Sequence, residues 1–122
     1  MSNHWKLGLL GACLLVASVC DPRHKQDVPT PPQNMVDRTT FIHLHADLQL
    51  LEAAYRQRML PGGDRDAVRA AQRALLLNNA GVSDSAFTAT YKWWYSQPEA
   101  LPAILQEVQV TLDSLERNSK WN

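Results

Sequence analysis

From Leu7 to Val19 the chain runs without a charge, and Cys20 closes the run. A helix that spans a bilayer needs roughly 20 apolar residues, so this stretch is too short for a comfortable transmembrane segment. A short polar start with Lys6, followed by a brief apolar core, is the layout of a secretory signal. The feature therefore withdraws the first residues from the fold and expects the remainder outside the cytoplasm.

Two cysteines follow small residues, as in a lipoprotein signal that is cleaved before a diacylglyceryl-modified cysteine. Leu10-Gly11-Ala12-Cys13 has the better small residues. It leaves an apolar core of about six residues, below the usual ~7–15, and strands Leu14, Leu15 and Val16 beyond the anchor. Ala17-Ser18-Val19-Cys20 has Val19 where a small residue is usual, yet it ends where a polar, Pro-containing segment begins. Cys20 is the expected attachment site. The expected division is a signal over 1–19, a tether over 20–36 and a helical domain over 37–119. An ordinary cleaved signal and an uncleaved anchor are the alternatives. Cleavage before Cys20 leaves one cysteine and no intramolecular disulfide, and acylation by palmitate-type chains consumes its thiol.

Twelve basic and twelve acidic residues balance; without Lys6 the count is eleven against twelve, a net charge of about minus one. That balance argues against a nucleic-acid binder driven by phosphate neutralisation. The expected partners are the bilayer, through acylated Cys20, and a protein or peptide.

Pro22, Pro29, Pro31 and Pro32 make the tether extended and disordered. Beyond it the periodicity is helical throughout, which predicts an all-α fold: a small bundle of about four helices. The first is expected over 38–59, capped by Asp37, with Val36 and Phe41 spaced as a hydrophobic staple. Phe41, Leu44, Leu48, Leu51 and Tyr55 form its apolar stripe, and Pro61-Gly62-Gly63 stops it. The second runs over 65–79 from the cap Asp64, with Val68, Ala71, Leu75 and Leu76 or Leu77 inward and Gly81 at a left-handed end. The third, capped by Ser83, runs to about Tyr95, with Phe87, Tyr91 and Trp94 on one face. Ser96-Gln97-Pro98-Glu99 has the form of a capping box, but Pro102 moves the regular start of the fourth helix toward Leu101. Leu101, Ile104 or Leu105, Val108, Leu112 and Leu115 form its stripe, and Arg117 and Lys120 sit near its negative end. Short connections favour antiparallel neighbours.

The chemistry-bearing patterns are sparse. His43 and Asp47 share a helix face at i,i+4, whereas His45 points nearly opposite and is expected to be solvated. Two ligands leave a zinc site incomplete, so no metal or other cofactor is expected. Asp47 and Glu52 lie about 140° apart round a helix and diverge. Arg65, Arg69 and Arg73 make a same-sign row, read as a solvated face relieved by Asp64 and Asp66. The densest feature is Tyr91-Lys92-Trp93-Trp94-Tyr95, whose rings span the helix circumference and cannot all enter one core. Tyr91, Trp93, Trp94 and Tyr95 are the candidate partner-binding residues, with the surface around Trp93 and Tyr95 or a groove between the first and third helices as the docking place.

Phe41-Ile42, then Asp47-Leu48-Gln49-Leu50, then Glu52-Ala53 form an ordered set of motifs. Gly81-Val82-Ser83, Trp93-Trp94 and Pro98-Glu99 follow it. In this order the chain resembles an uncharacterised family of small bacterial lipoproteins: a short signal, a cysteine, a Pro-containing tether and a helical domain of unknown function. The chain carries Gln49 and Gln97 where that family commonly has histidine. The resemblance implies no activity. The expected function is a membrane-anchored, non-enzymatic binding or accessory module of the cell envelope. A chaperone-like peptide holder is the alternative, and an enzyme built on His43, Asp47 and Glu52 comes last.

Overall fold

The computed structural model describes residues 29–119. The expected signal, Cys13, Cys20, most of the tether and Lys120 lie outside them. The described residues form four helices: α1 Arg38–Arg56, α2 Arg65–Asn79, α3 Asp84–Tyr95 and α4 Leu101–Ser119.

The caps read from the sequence are in place. The Asp37 carboxylate accepts from the Thr40 N–H at 3.2 Å, and Asp64 accepts from Asp66 and Ala67 at 3.1 Å. Ser83 Oγ accepts from the Ala86 N–H at 3.1 Å. Each satisfies a donor that the first helical turn leaves unpaired. Val36 and Phe41 both enter the core, as the staple spacing expects, so the last residue of the tether is part of the packed domain.

Helix α1 is the centre. It buries Phe41, Ile42, Leu44, His45, Ala46, Leu48 and Leu51, which together cover far more than one stripe. The other helices bury only one or two residues each, among them Leu77, Phe87, Ile104 and Val108. A helix covered on several sides needs apolar positions round most of its circumference, and α1 alone has them.

The pairings give the directions. Arg65 and Asp66, at the start of α2, meet Tyr55 near the end of α1, so α2 runs back along α1. Helix α4 runs the same way as α1: Glu107 pairs with Arg38, whereas the later Asp113 and Glu116 share a cleft with Glu52 and Arg56. Two sequential neighbours are antiparallel as expected, but α4 returns parallel to the first helix because α3 crosses α1 instead of running along it. Phe87, Tyr91 and Tyr95 of α3 all gather on Phe41 and His45, within a single turn of α1.

The helix ends and stripes depart from expectation at some positions and meet it at others. Helix α1 stops at Arg56, before the Pro-Gly-Gly segment, because Arg58 adopts φ 58° and closes a Schellman turn. The Arg58 N–H donates to Tyr55 O at 3.1 Å and the Met59 N–H to Ala54 O at 2.9 Å. Gly81, at φ 66°, closes α2 the same way. Ser96 does not cap α4; its hydroxyl donates to Trp93 O at 2.7 Å and ends α3. Helix α4 starts at Leu101, which puts Pro102 in the first turn, where no N–H is required. In α2, Ala71 and Leu75 face solvent, and in α4 Leu105 does so.

The arginine row of α2 lies half-buried against its neighbours rather than fully in solvent. The Arg65 and Arg69 guanidinium groups lie over the Tyr55 ring at 4.7 and 4.2 Å. Arg65 also donates to the Tyr55 carbonyl, and the Tyr55 hydroxyl donates to Asp66. Arg69 reaches Glu52 at 3.4 Å, and Arg73 reaches Asp84 at 2.6 Å. Long stems let guanidinium groups lie along an apolar neighbour, so the face that charge alone assigns to water holds α2 against α1.

Candidate functional site

His45 is the residue the fold treats most unexpectedly. It is buried, with its ring stacked on Phe41 at 5.5 Å and edge-on to Tyr91 at 5.6 Å and Tyr95 at 6.2 Å. The Gln49 amide nitrogen donates to His45 Nε2 at 3.3 Å, which makes Nε2 an acceptor, and the Tyr95 hydroxyl shares that lone pair at 3.3 Å. Burial lowers the His45 pKa below its ordinary 6.5, so the imidazole is neutral at pH 7. The solvated His45 expected from helical geometry is overturned because α3 crosses α1 at that turn and covers it.

Tyr91 and Tyr95 stack on each other, ring centroids 4.1 Å apart and 19° from parallel. They are 37 and 39% exposed. Burial, then the hydrogen bond and charge of Tyr91, push the Tyr95 phenol up to about 12. The pair stands on the wall of an open cleft of about 650 Å³. Leu48, Gln49, Glu52 and Ala53 of α1 line the cleft, and Arg56 continues that line. Helix α4 contributes Gln109, Leu112, Asp113 and Glu116, and α2 contributes Arg73. The Gln109 amide donates to Asp113 at 2.8 Å.

The other aromatic candidates lie elsewhere. Trp94 is half-buried against the core, under the Arg38 guanidinium at 5.9 Å, and Arg38 pairs with Glu107 across it. Its buried indole N–H has no partner among the described residues. Trp93 is half-buried and does not line the cleft. The structure thus brings Tyr91 and Tyr95 together and separates both tryptophans from them. Tyr91 stays beside Phe87, ring centroids 6.4 Å apart, but at the solvent edge, and the fully buried Thr90 joins Phe87 in the core.

His43 and Asp47 do not join this cleft. They line a separate hollow between α1 and α2 with Leu76 and Asn79. Partial burial raises the Asp47 pKa, and the charge of His43 offsets part of the rise. Glu52 points into the other cleft, toward Arg69. The three residues considered for acid–base chemistry are therefore divided between two surfaces. Among the described residues no group of three or more His, Cys, Asp or Glu side chains gathers as metal ligands.

A sequence signal for the cleft existed. His45, Gln49, Glu52 and Arg56 recur at +4, +3, +4, a polar row beside the apolar stripe of α1. Gln109, Asp113 and Glu116 repeat the pattern on α4 at +4, +3. Each row alone reads as a solvated face. Only the parallel packing of α1 and α4 makes them share one hollow.

These features define a small helical domain with an open, tyrosine-walled cleft and no strand among the described residues. Residues 32–118 match the family described as Domain of unknown function (DUF4296), and the chain belongs to that family. No curated protein and no solved structure matches the chain.

Proposed function

We propose that this chain is a lipid-anchored domain of the cell envelope that works by holding a ligand in the α1–α3–α4 cleft, without catalysing a reaction. The observation that carries the binding half is the stacked Tyr91–Tyr95 pair, over one-third exposed beside the cleft. Exposed tyrosines offer a large rigid surface at small entropic cost, which suits recognition. The adjacent His45 already serves two donors through Nε2, which favours a structural role over proton transfer. The anchoring half rests on the apolar run, Cys20 and the Pro-containing segment that follows. Two or three acyl chains hold a domain stably at a bilayer, since each buried methylene contributes about 0.8 kcal/mol.

Membrane fractionation and the intact mass of the mature chain test the anchor. Cys20→Ser should release the domain or leave an uncleaved precursor, and Cys13→Ser should change nothing. Attachment that survives Cys20→Ser overturns it. Tyr91→Ala with Tyr95→Ala tests the cleft: a double variant that is folded, anchored and as active in the cell as the native chain removes the cleft from the function.

A further inference from the structure

Two parallel helices that pack together ordinarily meet along an apolar seam. Helices α1 and α4 do so through Ile104 and Val108, and beside that seam they turn polar rows toward a common hollow lined by imidazole, amide, carboxylate and guanidinium groups. The charges nearly cancel. Glu52, Asp113 and Glu116 stand against Arg56 and Arg73. Glu52 also has Arg69 at 3.4 Å, and Arg73 has Asp84 at 2.6 Å.

Three ligand classes fare differently in such a hollow. A strongly charged ligand meets charges of its own sign beside each attractive one. An acyl chain would cover amides and carboxylates without replacing their hydrogen bonds with water, which costs several kcal/mol per unpaired group. A neutral polyhydroxylated ring avoids both penalties. Each hydroxyl donates to a carboxylate and accepts from an amide or guanidinium, and bonds to ionised partners are the stronger kind. The less polar face of the ring, presenting C–H groups, lies against an aromatic plane. Tyr91 and Tyr95 stack face to face, and the outer face of that stack supplies the plane on the same hollow. The volume of about 650 Å³ falls within the ~300–1,000 Å³ of small-molecule sites.

Resting on the binding role proposed above, we infer that the cleft takes a neutral oligosaccharide, with one sugar ring on the outer face of the Tyr91–Tyr95 stack and its hydroxyls held by the polar rows of α1 and α4. Gln49, Gln109 and Asp113 are the residues that read the hydroxyls.

The test uses the full chain in detergent, titrated by NMR with cellotriose, maltotriose and triacetylchitotriose, and in parallel with trilysine and triglutamate. At least one neutral trisaccharide should bind saturably, with shifts centred on the side-chain amides of Gln49 and Gln109. Tyr95→Ala and Asp113→Ala should each weaken binding by about tenfold, as expected for one stacked ring or one charge-assisted bond. Asp113 lies on the exposed face of α4, so its variant keeps the fold, whereas Tyr95→Ala also removes a ring packed on His45. Silence from all three trisaccharides at millimolar concentration overturns the inference, and so does binding indifferent to both variants. Binding of a charged tripeptide alone, weakened by the same variants, overturns the sugar and keeps the cleft as a binding site.

Discussion

The Val36 N–H donates to Thr90 Oγ1 at 2.8 Å, tying the segment before α1 to the middle of α3. The same hydroxyl donates to the Ala86 carbonyl at 2.8 Å, so a fully buried threonine closes two polar accounts at once. Thr90→Val keeps the shape and strands the Val36 N–H. It should destabilise the fold by about 1–3 kcal/mol, the cost of an unsatisfied buried donor. Thr90→Ser keeps the bond and should cost less. Urea unfolding of both variants checks the ranking, and a valine variant as stable as the native chain would remove the bond's importance.

Acid should act through His45. Its folded pKa lies below 6.5, so the unfolded chain takes up a proton first as pH falls. Stability is therefore complete above about 6.5 and declines as pH falls toward the folded pKa. Asp47 works in the opposite sense and lower down: its raised pKa favours the folded chain in acid and loses that contribution as pH rises through the folded value. Unfolding midpoints between about pH 7.5 and 5.5 should fall for the native chain and stay flat for His45→Gln. Equal slopes would place the titrating group elsewhere.

At the alkaline end Tyr95 takes over. Its phenol is held up to about 12 against an ordinary 10.0, so the unfolded chain ionises first. Stability present below about pH 10 should fade as pH rises through 12, and Tyr95→Phe should reduce that loss, leaving the part due to Tyr55, whose phenol its bond to Asp66 also raises. Tyrosinate absorbance in the folded chain reads the shift directly: a Tyr95 that titrates with the free phenol would contradict the packing of the pair.

The two Schellman turns offer a matched pair. Arg58 sits at φ 58° with a side chain, whereas Gly81 sits at φ 66° without one. A Cβ at Gly81 meets nothing within 4 Å, so any cost there is conformational and not steric crowding. Arg58→Gly should stabilise by about 0.5–1 kcal/mol, and Gly81→Ala should destabilise by about 1 kcal/mol. Thermal melts of the two variants should move in opposite directions.

Helix α2 shows two forms of attachment, since Tyr55 receives its first turns while Leu76 and Leu77 enter the core near its end. Tyr55→Leu removes the ring beneath Arg65 and Arg69 and should cost about 1–2 kcal/mol, at roughly 0.5–1 kcal/mol for each guanidinium on an aromatic face. Amide exchange in α2 should accelerate more than in α4. Uniform acceleration would mean that the clamp supports the whole domain and not α2 alone.

The helices were legible because their signals are local. Asp37, Asp64 and Ser83 cap where short polar residues precede apolar periodicity, and Gly81 ends α2 where a left-handed residue is cheapest. What escaped depends on which helix lies beside which. His45 is off the main stripe of α1, and nothing in its neighbours announces that Phe87, Tyr91 and Tyr95 will close over it. The arginines of α2 follow the charge rule for a wet face, yet Tyr55 draws them inward. Arg58 carries no sign of a positive φ. The aromatic run of α3 was visible as a feature, but its division into a stacked tyrosine pair at the cleft and a tryptophan under Arg38 required the crossing of α3 over α1.

The central place of α1 bears on the order in which the chain can acquire structure. Its long-range partner α4 begins at Leu101, so most of the core waits for the last helix to be made. Contacts this distant in sequence close late, because the intervening loop must be ordered first. A chain ending after Tyr95 should accordingly lack a cooperative unfolding transition. Synthesised from its N-terminus, the domain therefore packs late, once α4 is free to lie against α1.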